Sequence, residues 1–445
     1  MSRYQAYAEY KDSGEEWLGK VPAHWDVIQI KHLSPIKRGA SPRPIDDAKY
    51  FDDDGEYAWT RIADVTASNV YLTEAPQRLS DLGSSLSVKL EPESLFLSIA
   101  GTVGKPCITG IKACIHDGFV YFPELKIPNK FLFYVFAGEQ AYKGLGKFGT
   151  QLNLNTDTVG GIKIGCTTNA ELENIVEFLD HETAKIDLLI EKQQGLIALL
   201  KEKRQAVISH AVTKGLNPNA PLKDSGVAWL GEVPEHWVVS RIGFHANKIG
   251  SGKTPKGGSE IYQDDGILFL RSQNIYDDGL RIEHSECVYV SNEIHEEMYG
   301  THVKSGDVLL NITGGSIGRS CLVPANFTEA NVNQHVCILR FSDEFNEFFS
   351  YVIKADLVQS QIDSCQTGGN REGLNFDQIS KLIVCIPPIE ERKIIVNRVK
   401  LSIEKFDQIE SAARQAIEKM QERRTALISA AVTGKIDVRD WQAKH

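Results

Sequence analysis

The chain is 445 residues long, too long for one hydrophobic core, so two to four domains are expected. Its composition is ordinary for a globular protein, and a formal net charge of −10 excludes a surface coated in basic charge. A local basic groove stays open, because charges are screened over about 8–10 Å.

No run approaches the about 18 apolar residues that span a membrane. The polar start MSRYQAYAEYKDSG is unlike a signal peptide. Eight cysteines, at 107, 114, 166, 287, 321, 337, 365 and 385, form no CxxC pair and have no His cluster beside them. Reduced core thiols in a cytoplasmic protein are expected.

The first element met along the chain occurs twice. Residues 11–27 (KDSGEEWLGKVPAHWDV) match residues 223–239 (KDSGVAWLGEVPEHWVV) at twelve of seventeen positions. Residues 202–213 (EKRQAVISHAVT) match residues 422–433 (ERRTALISAAVT) at eight of twelve. Solenoid repeats have periods of about 20–50 residues, so this much longer period marks a duplicated domain pair. After each opening segment, short β-type runs such as Ser94–Ile99 and Asp307–Ile312 alternate with turn signals at Asp53-Asp54-Gly55, Asp264-Asp265-Gly266 and Asp278-Gly279. This predicts a mixed α+β domain, closed by a boundary strand at Val159–Cys166 and again at Ile379–Ile386.

A long helix is predicted after each boundary strand. Residues 170–212 carry apolar side chains at Leu172, Ile175, Val176, Leu179, Ile186, Ile190, Ile197, Leu200 and Val207. Residues 389–432 carry them at Ile394, Ile395, Val399, Ile403, Phe406, Ala413, Ile417, Met420 and Leu427. Steps of three and four from Leu179 and from Val399 make heptad-like seams. At about 1.5 Å per residue each helix reaches roughly 60 Å if unbroken, with breaks conceivable near Lys201 and Gln421. Gly195 costs about 1 kcal/mol unless a packed partner offsets it. Two seams of equal length predict an antiparallel pair with a pseudo-twofold axis, whose free side faces could bind a partner.

Catalytic motifs are weak. Gly250-Ser251-Gly252-Lys253-Thr254 resembles a phosphate loop, but Asn247 stands where its first Gly belongs and Pro255 blocks the helix that should follow. Asp117, Glu124 and Lys126 could polarise a water through Mg²⁺. The matching stretch around Asn333-Gln334-His335 lacks both carboxylates. Asn217-Pro218-Asn219 lacks the double proline and aromatic of an amino-methyltransferase motif, and no GxGxxG follows a strand. The expectation is a chain without a catalytic centre; a Mg²⁺-dependent nuclease is the enzymatic alternative, and a helical scaffold that ignores nucleic acid is a third reading.

Corresponding loops of the two halves carry similar polar tips. Arg38 and Arg43, in KRGASPR, match Lys253 and Lys256 around a shared Gly-x-(Ser/Thr)-Pro core. Arg61, in WTRIADV, matches Arg271, which is followed by Gln273 and Asn274. Lys105, in GTVGK, matches Arg319, in GGSIGR, and Lys147 with Gln151 matches Arg371. Glycine lets a loop approach a surface closely. Arg and Lys contact phosphates or guanine edges, and Gln and Asn pair with adenine. One scaffold with two sets of tips suits two different short sequences. Trp17, Trp25, Trp229 and Trp237 fit anchoring roles better than base stacking, and His24 and His236 fit local hydrogen bonding better than metal ligation.

The KDSG-x-x-WLG-x-VP-x-HW segments, the Ile386-Pro387-Pro388-Ile389-Glu390-Glu391 domain end and the EKRQAVIS/ERRTALIS helix ends followed by Ala-Val-Thr resemble the DNA specificity (S) subunits of type I restriction–modification systems. The likeness spans essentially the whole chain, departing where Cys166-Thr167-Thr168 replaces the Ile-Pro-Pro of the second half. The resemblance implies target recognition domains at about 1–167 and 217–387, helical regions at about 168–216 and 388–436, and a tail at 437–445. It also implies that each domain reads one half of a bipartite asymmetric site in double-stranded DNA. The helices set the spacing and dock two modification subunits. S-adenosylmethionine, ATP and Mg²⁺ are then expected on the modification and restriction subunits, with no cofactor and no catalysis on this chain.

Overall fold

The structure, a computed structural model, describes residues 4–142, 145, 154–283, 287–366 and 373–443. Its residues gather into two compact units that do not follow chain order. Met1–Gln193 joins Arg414–His445, and Gln194–Ala413 forms the other. Each unit therefore holds one strand-rich domain, the first half of the long helix that follows it, and the last half of the other long helix.

In the first unit the short apolar runs pair into two mixed sheets. One has the order Lys37–Arg38, Phe119–Tyr121, Leu95–Ser98, Pro106–Thr109, Tyr71–Leu72. The other has the order Arg78–Leu79, Tyr57–Thr60, Ala113–Ile115, Val88–Leu90. Leu95–Ser98, Pro106–Thr109 and Ala113–Ile115 are buried along their whole length. Such strands, covered on both faces, read as continuous apolar runs rather than alternating ones. The helix Asn129–Ala137 (NKFLFYVFA) packs against Pro106–Thr109 and buries Phe131 to Phe136 in succession.

The second unit repeats the plan. One sheet runs Lys248–Ser251, Val336–Arg340, Val308–Asn311, Ser320–Leu322; the other runs Tyr289–Val290, Ile267–Leu270, Ala330–Val332, His302–Val303. The departure is local: where the first unit adds Tyr71–Leu72 to its sheet, the second forms a separate hairpin, Ile275–Tyr276 with Gly279–Leu280.

The predicted boundary strands start later than expected. Asn155 and Asn375 each cap a short helix, at Thr156–Gly161 and Phe376–Lys381, and the strands follow at Lys163–Cys166 and Ile383–Ile386. The Asn155 Oδ1 accepts the backbone N–H of Asp157 and Thr158 at 2.9 Å. Asparagine is a strong helix-capping residue, which the β-type run behind it masked. Each boundary strand pairs antiparallel with the strand after the HW segment, Cys166 opposite Asp26 and Ile386 opposite Val238.

The long helices run unbroken over Asn169–Lys214 and Ile389–Val432. They are antiparallel within each unit. In the first, Asn174 reaches Arg439 and Arg424 pairs with Asp187 at 2.8 Å. In the second, Arg204 pairs with Asp407, and Gly215 lies beside Glu391. Leu172, Ile175, Leu179, Ile186, Ile197, Leu200, Ile395, Val399 and Ala413 are buried as the seam predicts, but Ile394 is 61% exposed. Nothing lies within 4 Å of a Cβ placed on Gly195, so no packed partner offsets its helix penalty.

One latch joins each opening segment to its helix. Trp25 and Trp237 are fully buried. The Trp25 Nε1 donates to Glu171 Oε1 at 3.0 Å, and the Trp237 Nε1 donates to Glu391 Oε2 at 3.1 Å. His24 and His236 approach the same two carboxylates at 3.0 and 2.6 Å. Both glutamates lie in the first turn of a long helix, where negative charge meets the positive end of the helix dipole. Tyr7 and Thr167 also donate to Glu171, at 2.8 and 2.7 Å.

Burial pushes the Glu171 carboxyl up, but hydrogen bonds from Thr167, Trp25, Tyr7 and His24 outweigh it and leave it below its ordinary value. A carboxylate lowered by folding contributes stability above its unfolded pKa of about 4.3, and that contribution is lost as pH falls through the lower folded value. Glu171→Gln is therefore expected to lower the thermal midpoint at neutral pH and to flatten its fall below about pH 4.3. An acid limb as steep as the parent's would show that other carboxylates set it.

Six of the eight cysteines are buried, and the other two are half-buried. Burial raises the Cys107 and Cys166 thiols to about 12, which removes them from thiolate chemistry.

Candidate nucleic-acid interface

Two loops of each unit are fastened where the repeat predicts readers. In the first, Gly39 passes so close to the backbone of His116 that a Cβ would lie 2.1 Å from its carbonyl oxygen. The Ser41 hydroxyl donates to Asp117 Oδ1 at 3.2 Å, and the Arg43 guanidinium donates to Asp117 Oδ2 at 3.0 Å. The Arg38 Nε donates to the Asp117 carbonyl at 2.5 Å. Asp117 thus gathers Arg38, Ser41 and Arg43 around one turn, leaving the Arg43 side chain 78% exposed. In the second unit a Cβ on Gly252 would overlap Val332, and the Thr254 hydroxyl donates to Gln334 Oε1. That explains the Gly-x-(Ser/Thr)-Pro core: glycine permits the close pass and the hydroxyl pins the loop. Lys253 and Lys256 remain exposed at its tip.

The second pair of loops also meets in both units. Arg61 precedes the helix Ile62–Ala67, and its backbone N–H donates to Asp64 Oδ2 at 2.8 Å. Thr66 of that helix meets Thr102 at 2.9 Å, and the Lys105 Nζ donates to the Thr66 carbonyl at 3.5 Å. In the second unit Asn311 Nδ2 donates to the Ser272 carbonyl and to Ser316 Oγ, at 2.9 and 3.0 Å. Arg271 and Arg319 are thereby held on adjoining loops, and Gln273 between them is exposed. Asn274 is 1% exposed; its Oδ1 accepts the Arg271 N–H and its Nδ2 donates to the Arg281 carbonyl, both at 2.9 Å. Its amide thus ties the loop to the protein. Lys147, Gln151 and Arg371 lie outside the described residues.

The segment resembling a phosphate loop and the Asp117 and Lys126 side chains have other structural roles. Lys248–Ser251 is a strand, and the next helical turn begins at Gly258, so no helix starts at Thr254 to receive a phosphate. The Asp117 carboxylate is engaged by Ser41 and Arg43, and the Lys126 Nζ donates to the His32 carbonyl at 3.2 Å. Among the described residues no group of three or more His, Cys, Asp or Glu side chains could hold a metal ion, and no helix is long and apolar enough to cross a membrane.

Several residues of consequence are invisible to the loop comparison. Asp117, a candidate catalytic acid by sequence, is a loop anchor in the fold. Tyr276 and Arg281 flank the Asp278-Gly279 turn signal, which gives the hairpin but no hint that Arg281 and Arg319 share the Tyr276 ring. Glu171 and Glu391 are separated from their tryptophans by well over a hundred residues, although both occupy the same place in the repeat.

The chain is thus a duplicated, loop-bearing α/β scaffold with paired long helices and basic, glycine-supported tips. Known proteins share this plan. A family model described as type I restriction modification DNA specificity domain matches residues 234–419. The putative type I restriction enzyme MjaX specificity subunit of Methanocaldococcus jannaschii is 22% identical over 450 residues, covering 95% of this chain and 96% of that protein. The type I restriction enzyme EcoKI specificity subunit of Escherichia coli K12 is 21% identical over 469 residues, covering 96% and 92%. In fold, the chain is similar to one from a solved type I restriction–modification system, with a TM-score of 0.68 at 12% identity over 93% of this chain and 98% of the other. The chain is thus similar along nearly its whole length to DNA specificity subunits of type I restriction–modification systems, with the family match itself lying in residues 234–419.

Proposed function

We propose that residues 1–167 and 217–387 each read one half of a bipartite, asymmetric site in double-stranded DNA. The long helices hold the two readers at a set spacing and dock two modification subunits. S-adenosylmethionine is then bound by those subunits, and ATP and Mg²⁺ by restriction subunits that join them in the cytoplasm. The observation that carries this reading is the repetition itself. Equivalent loops share their anchors, Gly39 with Gly252 and Ser41 with Thr254, while their tips differ: Arg43 against Lys256, Lys105 against Arg319. A shared frame with different readers suits two different half-sites. Side-facing apolar residues on the helices, Leu188 and Leu189 in the first unit, Leu199, Ile394 and Leu401 in the second, leave surface for partner subunits.

Arg38, Arg43, Arg61, Lys105, Lys147 and Gln151 are the proposed contacts of the first half. Lys253, Lys256, Arg271, Gln273, Arg319 and Arg371 are those of the second, with Asn274 positioning Arg271. The test is methylation-site mapping in a host carrying the complex, with and without Arg271→Ala. The variant is expected to weaken or relax one half-site only, by about 1–3 kcal/mol if Arg271 makes a bidentate base contact. Equal relaxation of both half-sites would defeat the two-reader reading. A reconstituted complex with no affinity for DNA would favour a scaffold that ignores nucleic acid.

A further inference from the structure

The hairpin found only in the second unit carries an arrangement that its counterpart lacks. The Arg281 guanidinium carbon lies 4.6 Å from the centre of the Tyr276 ring, and that of Arg319 lies 4.5 Å from the same centre. Two cations on one ring are a costly arrangement unless something offsets their repulsion. For Arg281 the offset is plain: its Nη2 donates to both carboxylate oxygens of Asp278, at 2.9 and 2.7 Å. Arg319 has no such partner. Among the described residues its guanidinium takes part in no hydrogen bond or ion pair, and only the ring holds it.

Everything around Arg319 is nevertheless fixed. Gly318 sits at φ 87°, its N–H donates to the Asn311 carbonyl at 3.0 Å, and Gln359 Nε2 donates to its carbonyl at 3.0 Å. The Arg319 N–H donates to the Ser316 carbonyl at 3.2 Å. The next residue, Ser320, donates its N–H to Asp277 Oδ1 of the hairpin at 3.0 Å, and the Lys354 Nζ donates to the Asp277 carbonyl at 2.6 Å. Loop and hairpin are thus joined directly at Ser320 and Asp277, and each is tied separately, to Gln359 and to Lys354, beside the stacked pair. A planar, permanently charged group lies over an aromatic face with its five N–H donors uncommitted. Such a group is prepared for a planar, two-acceptor ligand.

In a DNA groove that ligand is the O6/N7 edge of guanine, the commonest bidentate partner of arginine. A phosphate can also accept two N–H donors from an arginine, but it is tetrahedral rather than planar, so a guanidinium plane fixed by a ring suits it less closely than a base edge. We propose that Arg319, oriented by Tyr276, reads a guanine in the half-site addressed by residues 217–387, and that the hairpin Ile275–Leu280 exists to hold its plane. Arg281 acts as a positioning residue: closed by Asp278, it lines the same ring without competing for the base. The equivalent Lys105 of the first unit donates to the Thr66 carbonyl and, among the described residues, lies over no ring. The inference rests on the two-reader function above and names one base contact within it.

The experiment uses the complex reconstituted with its modification subunits and duplexes carrying the mapped site. Each guanine of the second half-site is replaced in turn by 7-deazaguanine, which lacks N7. The parent complex is expected to lose roughly 5- to 150-fold in affinity at one position. Arg319→Ala and Arg319→Lys should bind that duplex and its guanine counterpart alike, while Tyr276→Phe keeps the discrimination and Tyr276→Leu blunts it. Unchanged discrimination at the first half-site shows that each variant still folds and assembles. The proposal is overturned if Arg319→Ala weakens every duplex equally and keeps all base discriminations, the signature of a phosphate contact. A second half-site built of A·T pairs alone overturns it too. A parent complex with no sequence preference at either half-site brings down the two-reader reading and this inference together.

Discussion

Replacing Trp25 by alanine is expected to destabilise the first unit by about 3–5 kcal/mol, the usual range for emptying a buried aromatic site. Trp237→Ala should do the same to the second. Both indoles are fully buried, and both are surrounded by groups that cannot follow them into the space left behind. Trp25 packs on the boundary strand at Gly165, where a Cβ would lie 2.8 Å from the ring, and beside Gly434 just after the distal helix. Trp237 lies against Gly215, just after the central helix, in the same way. Removal of the indole N–H leaves Glu171 or Glu391 short of a donor at a helix start, and hydrogen bonds to charged groups contribute about 1.5–3 kcal/mol. Trp25→Phe separates the two effects, since it keeps most apolar area and loses only the donor. Hydrogen exchange checks the assignment. Trp25→Ala should expose amides of residues 4–142 and 414–443 first, and Trp237→Ala those of 194–283 and 287–366. Equal loss of protection in both units from either substitution would refute the idea that each latch serves its own unit.

The long helices were legible because nothing in them contradicts their period. Steps of three and four or their sum persist from Leu179 to Val207 and from Val399 to Leu427, and no proline interrupts either helix. Ile394 escapes the pattern because successive residues of a helix point about 100° apart, and here Ile395 takes the buried side and Ile394 the exposed one. The domains were legible as a class, but their sheets were not. Leu95–Ser98 and Val308–Asn311 are buried on both faces and carry no alternation to give a register. The loop anchors were half legible. The recurrent glycine and hydroxyl stand out when the halves are compared, but their partners, Asp117 and Gln334, are chosen by sheet pairing far along the chain. Asp117 was open to misreading for that reason, since a carboxylate that binds two loop side chains and one that binds a metal look alike in sequence. The Tyr276 stack is harder still. It requires a hairpin on one loop and a cation on another, and the first half offers nothing to compare it with.

Heptads inserted into both long helices, after Gln193 and after Ala413, are expected to lengthen the spacer of the recognised site. These points lie where one compact unit ends and the other begins, so each unit keeps its own contacts, including Arg424 with Asp187 and Arg204 with Asp407. Whole heptads keep the apolar seam in phase, and insertion into one helix alone would leave seven residues facing no counterpart. One heptad adds about 10 Å, or about three base pairs at roughly 3.4 Å each. It cannot work well, because three base pairs also turn the second half-site by about a third of the way round the DNA axis. Three heptads add about 31 Å, close to the 34–36 Å of one DNA turn, and return the half-site to nearly its original face. The expected result is poor methylation with one heptad and recovered methylation with three, at sites whose spacer has grown by about nine to ten base pairs. Full activity at the parent spacer with either insertion would mean that the helices do not set the distance between the readers.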